Sequence, residues 1–297
     1  MKTGVNLHLT AADKSDVGLQ REQNEDCAYK RIESSENGDR GLFIVADGMG
    51  GYKAGEVASQ IAIETIRKVL DNFFKPIVEQ PTIQLDRSSF AQQGTKHDKS
   101  ASDEASTRKT GRLPEVSITA SIEEQLKSAI QQANTEIVRY GEKKSSARGL
   151  GSTVTAALVQ NNQAYIANVG DSRTYLLHDK KLTPVTRDHS LVARLVESGQ
   201  ITPEEIYTHP QRNLIYRSLG AGHKNVEVDV FQVELMPEDA LLLCSDGLWE
   251  MVRKEDLTRT LNEQPSPEKA CDMLINLANK NGGEDNITAV VVRVSMH

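Results

Sequence analysis

Residues 42–48 read Leu42-Phe43-Ile44-Val45-Ala46-Asp47-Gly48, an unbroken apolar run that stops at an aspartate beside a glycine. A run this short, carrying Phe, Ile and Val, suits a buried strand. The same grammar recurs twice. Tyr165-Ile166-Ala167-Asn168-Val169 leads into Gly170-Asp171, and Leu241-Leu242-Leu243-Cys244-Ser245 leads into Asp246-Gly247. Asp285 stands just before the last apolar run, and Glu25 and Asp26 stand just before another. One Asp-Gly at a strand end is a turn signal. Turns, however, have no need for aspartate at the end of three otherwise apolar strands. If these strands share one sandwich, their ends gather at one rim, where uncompensated carboxylates repel one another and raise their own pKa values. Hard divalent cations resolve that conflict. Oxygen-only ligation, without His or Cys spacing, suits Mg²⁺ or Mn²⁺ better than Zn²⁺.

Working outward, strand-like runs cover 41–46, 153–159, 164–169, 173–177, 226–233, 240–244 and 287–294. Asn161-Asn162 and Asp179-Lys180 each separate two such runs, which predicts hairpins and antiparallel pairing. Helical periods occupy 55–74, 121–141, 190–198, 254–263 and 267–280. Ser121 with Glu124 has capping-box spacing, and Ser266-Pro267 reads as an N-cap followed by a first-turn proline. Strands in blocks with helices between them predict an α+β protein, with helices covering the outer faces of two packed antiparallel sheets. The segment 76–119 is rich in Gln, Ser, Thr, Lys and Asp, and its middle, 86–112, is expected to be a flexible insertion in a single domain spanning 1–297.

Composition bounds the function. With 35 basic against 42 acidic side chains the formal charge is -7, which offers no footprint for sequence-independent nucleic-acid binding. No stretch approaches the roughly 20 apolar residues of a membrane helix, and the start lacks a signal core, so a soluble cytoplasmic protein with no membrane partner is expected. Three cysteines without Cys-x-x-Cys spacing argue against a disulfide framework. Gly48-Met49-Gly50-Gly51 lacks the Gly-Lys-Ser/Thr ending of a phosphate-binding loop and reads as a tight turn beside metal.

Together, several segments resemble the type 2C metal-dependent serine/threonine protein phosphatases, in particular their prokaryotic-type branch. They are Ser15-Asp16-Val17-Gly18 with Arg21 and Asn24-Glu25-Asp26, Ala46-Asp47-Gly48-Met49-Gly50-Gly51 with Gly55-Glu56, and Leu150-Gly151-Ser152-Thr153. Asn168-Val169-Gly170-Asp171-Ser172-Arg173, Asp188-His189-Ser190, Ser245-Asp246-Gly247-Leu248-Trp249 and Asp285-Asn286-Ile287-Thr288 follow in the family's order. The resemblance implies a four-layer α/β/β/α sandwich with a metal cluster at one end. It also implies roles. Asp47 looks like the carboxylate bridging two Mg²⁺ or Mn²⁺ ions, Gly48 a carbonyl ligand, Asp246 and Asp285 ligands of the first ion, and Glu25 a ligand of the second. Asp171 matches a ligand of a third, more weakly bound ion. Asp26 would hold metal-bound water, and Arg21 would grip phosphate with its planar fork.

The activity implied is hydrolysis of phosphoserine and phosphothreonine in proteins by direct attack of a metal-bridging water whose pKa the metal lowers to about 7. Phosphorylated proteins are then the partners, with an opposing serine/threonine kinase, and the chain is expected to be a monomer. Met49 stands where some members carry a histidine proposed as general acid, and a thioether cannot donate a proton. Water on the third ion is one substitute. His189 is another, although an Asp-His-Ser segment at a helix start more often caps the helix. Residues 188–217 correspond to the family's flap beside the active site. Two other readings stay open from sequence: a metal-dependent phosphatase of small phosphate esters, and a non-catalytic partner-binding protein on the same fold.

Overall fold

The computed structural model describes residues 6–35, 38–50, 54–74, 121–144, 147 and 149–296. The insertion expected at 86–112 lies outside them. One sheet runs in the order β1 (Leu7–Asp16), β12 (Ile287–Met296), β11 (Ala240–Cys244), β7 (Arg173–His178), β8 (Lys181–Pro184). The other runs β10 (Asp229–Glu234), β6 (Gln163–Val169), β5 (Val154–Gln160), β3 (Arg40–Met49), with β2 (Asp26–Glu33) paired to β3 and the two-residue strands β4 (Gly151–Ser152) and β9 (Leu219–Gly220) extending it. Every pairing among the described residues is antiparallel.

The unbroken apolar runs have a physical reason. Each central strand is covered on both faces, so alternation disappears. In β3, Phe43 and Val45 point into the layer between the sheets, joined there by Leu241 and Leu243 of β11 and by Val290, Val292 and Val294 of β12. Leu42, Ile44 and Ala46 face the other way, against α1 (Ala54–Val69) and α2 (Ile122–Lys143). On the opposite side Leu242, Cys244, Ala289 and Val291 pack under α5 (Lys254–Glu263) and α6 (Pro267–Lys280). The result is the α/β/β/α sandwich that the sequence predicts.

Local signals act as expected. Asn161 at φ 58° makes the β5–β6 turn, and Asp179 and Lys180, both at positive φ, make the β7–β8 turn. Ser121 and Glu124 form the complete capping box of α2, and Ser266 caps α6 with Pro267 in its first turn. A 3₁₀ turn, Leu70–Phe74, finishes the expected 55–74 helix. The flap carries the short α3 (Leu191–Glu197), capped by Ser190. Val226 and Val228 do not belong to a strand, contrary to the expected 226–233 run. They are buried against the α1/α2 layer, and β10 begins only at Asp229. A four-residue helix, α4 (Asp246–Trp249), starts at Asp246 itself. No helix among the described residues is long and apolar enough to cross a membrane.

Candidate active site

Antiparallel register carries the acids to one rim. Asp26 at the start of β2 lies opposite Asp47 near the end of β3. Cys244, two residues before Asp246, pairs with Ala289 near the start of β12 and with Arg173, two residues after Asp171. The ends meet at a cleft of about 330 Å³ lined by Arg21, Glu25, Asp47, Gly48, Met49, Asp171, Asp246 and Asp285, with Asn213 and Ile215 contributed by the flap. Asp26 stands behind this wall, its Oδ2 accepting from Ser245 Oγ at 2.7 Å. Arg21, Asp26 and the six residues matched to metal ligands from sequence therefore lie in or against one cleft.

Glycines let the backbone close around the acids. A Cβ on Gly48 would come 2.2 Å from the Gly55 carbonyl oxygen and 2.5 Å from that of Glu25. One on Gly55 would meet Glu25 Cδ at 2.7 Å, at the point where the Gly55 N–H donates to the Glu25 carboxylate. The first turn of α1 thus rests directly on the Asp47-Gly48 end of β3 and fixes Glu25, helped by Ser59 Oγ donating to the Glu25 carbonyl at 2.6 Å. Asn286 does the same for the Arg21 loop. Its Oδ1 accepts from Glu25 N–H at 2.8 Å, and its Nδ2 donates to the carbonyls of Val17 and Gln23.

The electrostatics are those of a crowded anionic site. Burial, then the charges of Asp246, Asp26, Asp171 and Asp285, hold the Asp47 carboxyl well above its ordinary range. Burial and the charges of Asp171 and Asp285 do the same to Asp246. Burial, reinforced by Asp188, pushes Asp171 up to about 7. Asp26 rises to about 6 through burial, against the opposing hydrogen bond from Ser245. Oδ1 of Asp246 and Oδ1 of Asp26 are buried without a hydrogen-bond partner. No three of these side chains close around a point as they stand, and Asp285 Oδ2 instead accepts from Arg21 Nη2 at 2.6 Å. Oxygen-only donors, orphaned carboxylate oxygens and mutual repulsion are nonetheless what hard divalent cations relieve, so the residues present fit such ions.

Other supports escaped the sequence reading. Ser245 Oγ joins Asp26 to the Thr288 N–H, and Thr153 N–H donates to the Asp47 carbonyl at 2.8 Å. Arg173 makes a forked, largely buried pair with Asp188, Nη2 to Oδ2 at 2.7 Å and Nε to Oδ1 at 3.0 Å. The guanidinium lies 3.5 Å from the Trp249 ring centroid, and Trp249 Nε1 donates to the Asp171 carbonyl at 3.0 Å. Arg173, Asp188 and Trp249 all sit in quoted motifs, but their pairing has no sequence signal. His189 does not line the cleft and is 3% exposed, so it is not the proton donor for a leaving group there.

The family model described as protein phosphatase 2C matches residues 20–281. The serine/threonine phosphatase stp of Listeria monocytogenes is 36% identical over 284 residues, covering 96% of this chain and 95% of that protein. Stp1 from Staphylococcus aureus, a serine/threonine phosphatase, superposes with a TM-score of 0.74 at 31% identity, over 99% of this chain and 98% of its own. The catalytic domain of the serine/threonine protein phosphatase PstP, solved with two manganese ions, gives 0.72 at 33% identity, over 98% of this chain and all of its own (100%).

Proposed function

The chain belongs to the protein phosphatase 2C family, and from that premise we propose that it hydrolyses phosphoserine and phosphothreonine in proteins, using two Mg²⁺ or Mn²⁺ ions. The observation that carries this reading is the meeting of five acids with Arg21 in one cleft. Asp47 would bridge the ions. Asp246 and Asp285 would hold the first, Glu25 and the Gly48 carbonyl would complete the pair, and Asp171 would serve a third. Asp26, fixed by Ser245, would orient water from behind. When bound, the cations supply Lewis-acid charge and a water acidified to near neutral pH.

The chain's own residues do the rest. Arg21, half-exposed at the cleft, now pairs with Asp285 through one nitrogen, and its planar fork matches two phosphoryl oxygens. The flap supplies Asn213 and Ile215 as a wall. Leu19, two residues from Arg21, and Leu214, next to Ile215, are large apolar side chains left exposed. Exposed apolar groups this near cleft-lining residues in the chain favour a polypeptide over a small ester. We further place the protein in the cytoplasm, as a monomer opposing a serine/threonine kinase. The free cysteines Cys27, Cys244 and Cys271 accord with a reducing compartment. Comparing phosphopeptides with sugar and nucleotide phosphates tests the substrate class, and a preference for the small esters would overturn it.

Arg21→Ala is expected to lower kcat/KM on a phosphothreonine peptide about a hundredfold, since a charge-assisted forked contact in the transition state is lost. Arg21→Lys should recover little, because an ammonium cannot donate two parallel bonds. Steady-state kinetics of both variants decide the matter. A lysine variant as active as the parent would remove Arg21 from phosphate binding.

A further inference from the structure

His189 opens the flap, is buried, and bonds to the main chain on two sides. Its own N–H donates to the Gly170 carbonyl at 2.9 Å, and its Nδ1 accepts from the Gly170 N–H at 2.9 Å. An Nδ1 that accepts leaves the proton of the neutral ring on Nε2, which faces Asp229 Oδ2 at 3.3 Å. Arg217 Nη1 stands 2.9 Å from Nε2, donor beside donor with no bond between them, and donates instead to Asp229 Oδ1 at 2.8 Å, so this carboxylate takes both cationic and neutral donors. On the flap's return path Tyr216 N–H donates to the His189 carbonyl at 2.9 Å, and the neighbouring Ser190 pairs with Ile215.

We propose that His189 is a positioning residue whose ring and backbone together fix the Gly170-Asp171 turn and tie it to both ends of the flap. The turn is gripped at Gly170 by His189 and at the Asp171 carbonyl by Trp249, while the Asp171 side chain faces the cleft. Asn168 Nδ2 adds bonds to the carbonyls of Gly170 and Arg187, so the entry to the flap and the turn share one polar seam. Because Ile215 and Asn213 are the flap's contribution to the cleft, His189 sets the place of an acid on one wall and of the flap on the other. This inference rests on Asp171 being one of the carboxylates that hold metal.

Two near-isosteric substitutions separate the two ring nitrogens. Asn places its amide oxygen where Nδ1 stands and keeps an acceptor for the Gly170 N–H. Gln places its amide near Nε2 and leaves that buried N–H unmet. Trp249 is the single tryptophan of the chain and bonds directly to Asp171, so its fluorescence reports the turn without metal or substrate. The experiment compares parent, His189→Asn and His189→Gln by acrylamide quenching of Trp249, by thermal melting, and by kcat and KM on a phosphothreonine peptide with Mn²⁺. H189N is expected to stay within about twofold of the parent throughout, whereas H189Q loses about tenfold in kcat with KM little changed and shows a clear rise in Trp249 quenching. Equal behaviour of the two variants, whether both intact or both impaired, overturns the proposal, as does a fall in kcat with Trp249 unmoved. If the parent itself releases no phosphate while the quenching contrast persists, the positioning geometry stands and the phosphatase reading fails.

Discussion

Asp246→Asn is expected to abolish metal-dependent turnover and at the same time to stabilise the metal-free protein. The two effects have one cause. Asp246 starts α4 with Oδ1 buried and unpartnered, among the charges of Asp171 and Asp285. Asn keeps the shape and removes the charge. Losing a carboxylate that we propose holds metal forfeits several kcal/mol of charge stabilisation in the transition state, roughly a thousandfold in kcat. The stability arm follows from linkage. Asp47, Asp246, Asp26 and Asp171 all have folded pKa values raised above the ordinary 3.8, the last two to about 6 and about 7. The unfolded chain therefore releases these protons first as pH rises. The native state is penalised increasingly from about pH 4, and fully so once pH exceeds the folded values. Chelated parent protein should melt lower at pH 8 than at pH 5.5, by several degrees. Mn²⁺ should remove that slope, and the Asn variant should show less of it in chelator. Melting curves at the two pH values, with and without chelator, check this. A chelated protein most stable at pH 8 would contradict the crowding that motivates the metal site.

The second large effect is structural. Asp188→Ala is expected to destabilise the protein by about 3–5 kcal/mol, because it leaves the Arg173 guanidinium buried without its partner carboxylate. For a domain of this size that is a fall in melting temperature of roughly 10 °C. Arg173 lies over Trp249, which holds the Asp171 carbonyl, so turnover should fall with it. Replacing both partners by apolar residues, Arg173→Met with Asp188→Leu, should cost much less than the sum of the single changes. Urea denaturation of the three variants tests the coupling. Additive losses would show that the pair is incidental.

The contrast between what the sequence reveals and what it conceals has a physical basis. Strands such as 42–46 and 240–244 are legible because both faces are buried, which writes an unbroken apolar run. Their terminal aspartates stand out against it. β1 is hard to see, because its buried residues Leu7, Leu9 and Ala12 break the period of two and the rest of this edge strand is polar or small. β4 and β9 have two residues each, too few for any period. The acids of the cleft are legible one by one, and antiparallel register explains why they meet. The groups that hold them are not legible. Asn286 reaches Gln23 and Val17 from across the chain, Ser245 reaches Asp26, and His189 reaches Asp229, all by contacts that exist only after folding. His189 shows the difference most directly. Sequence leaves it between a proton donor and, more often for such a segment, a helix cap, whereas the fold turns its ring onto a backbone amide.

The most direct test of the whole account is phosphate release from a phosphothreonine peptide by metal-stripped protein, with Mn²⁺ or Mg²⁺ added back and Asp246→Ala measured alongside. Release that requires added metal and is absent from the folded variant is the predicted result. Undiminished release by Asp246→Ala, or none from folded parent protein supplied with metal, would contradict it.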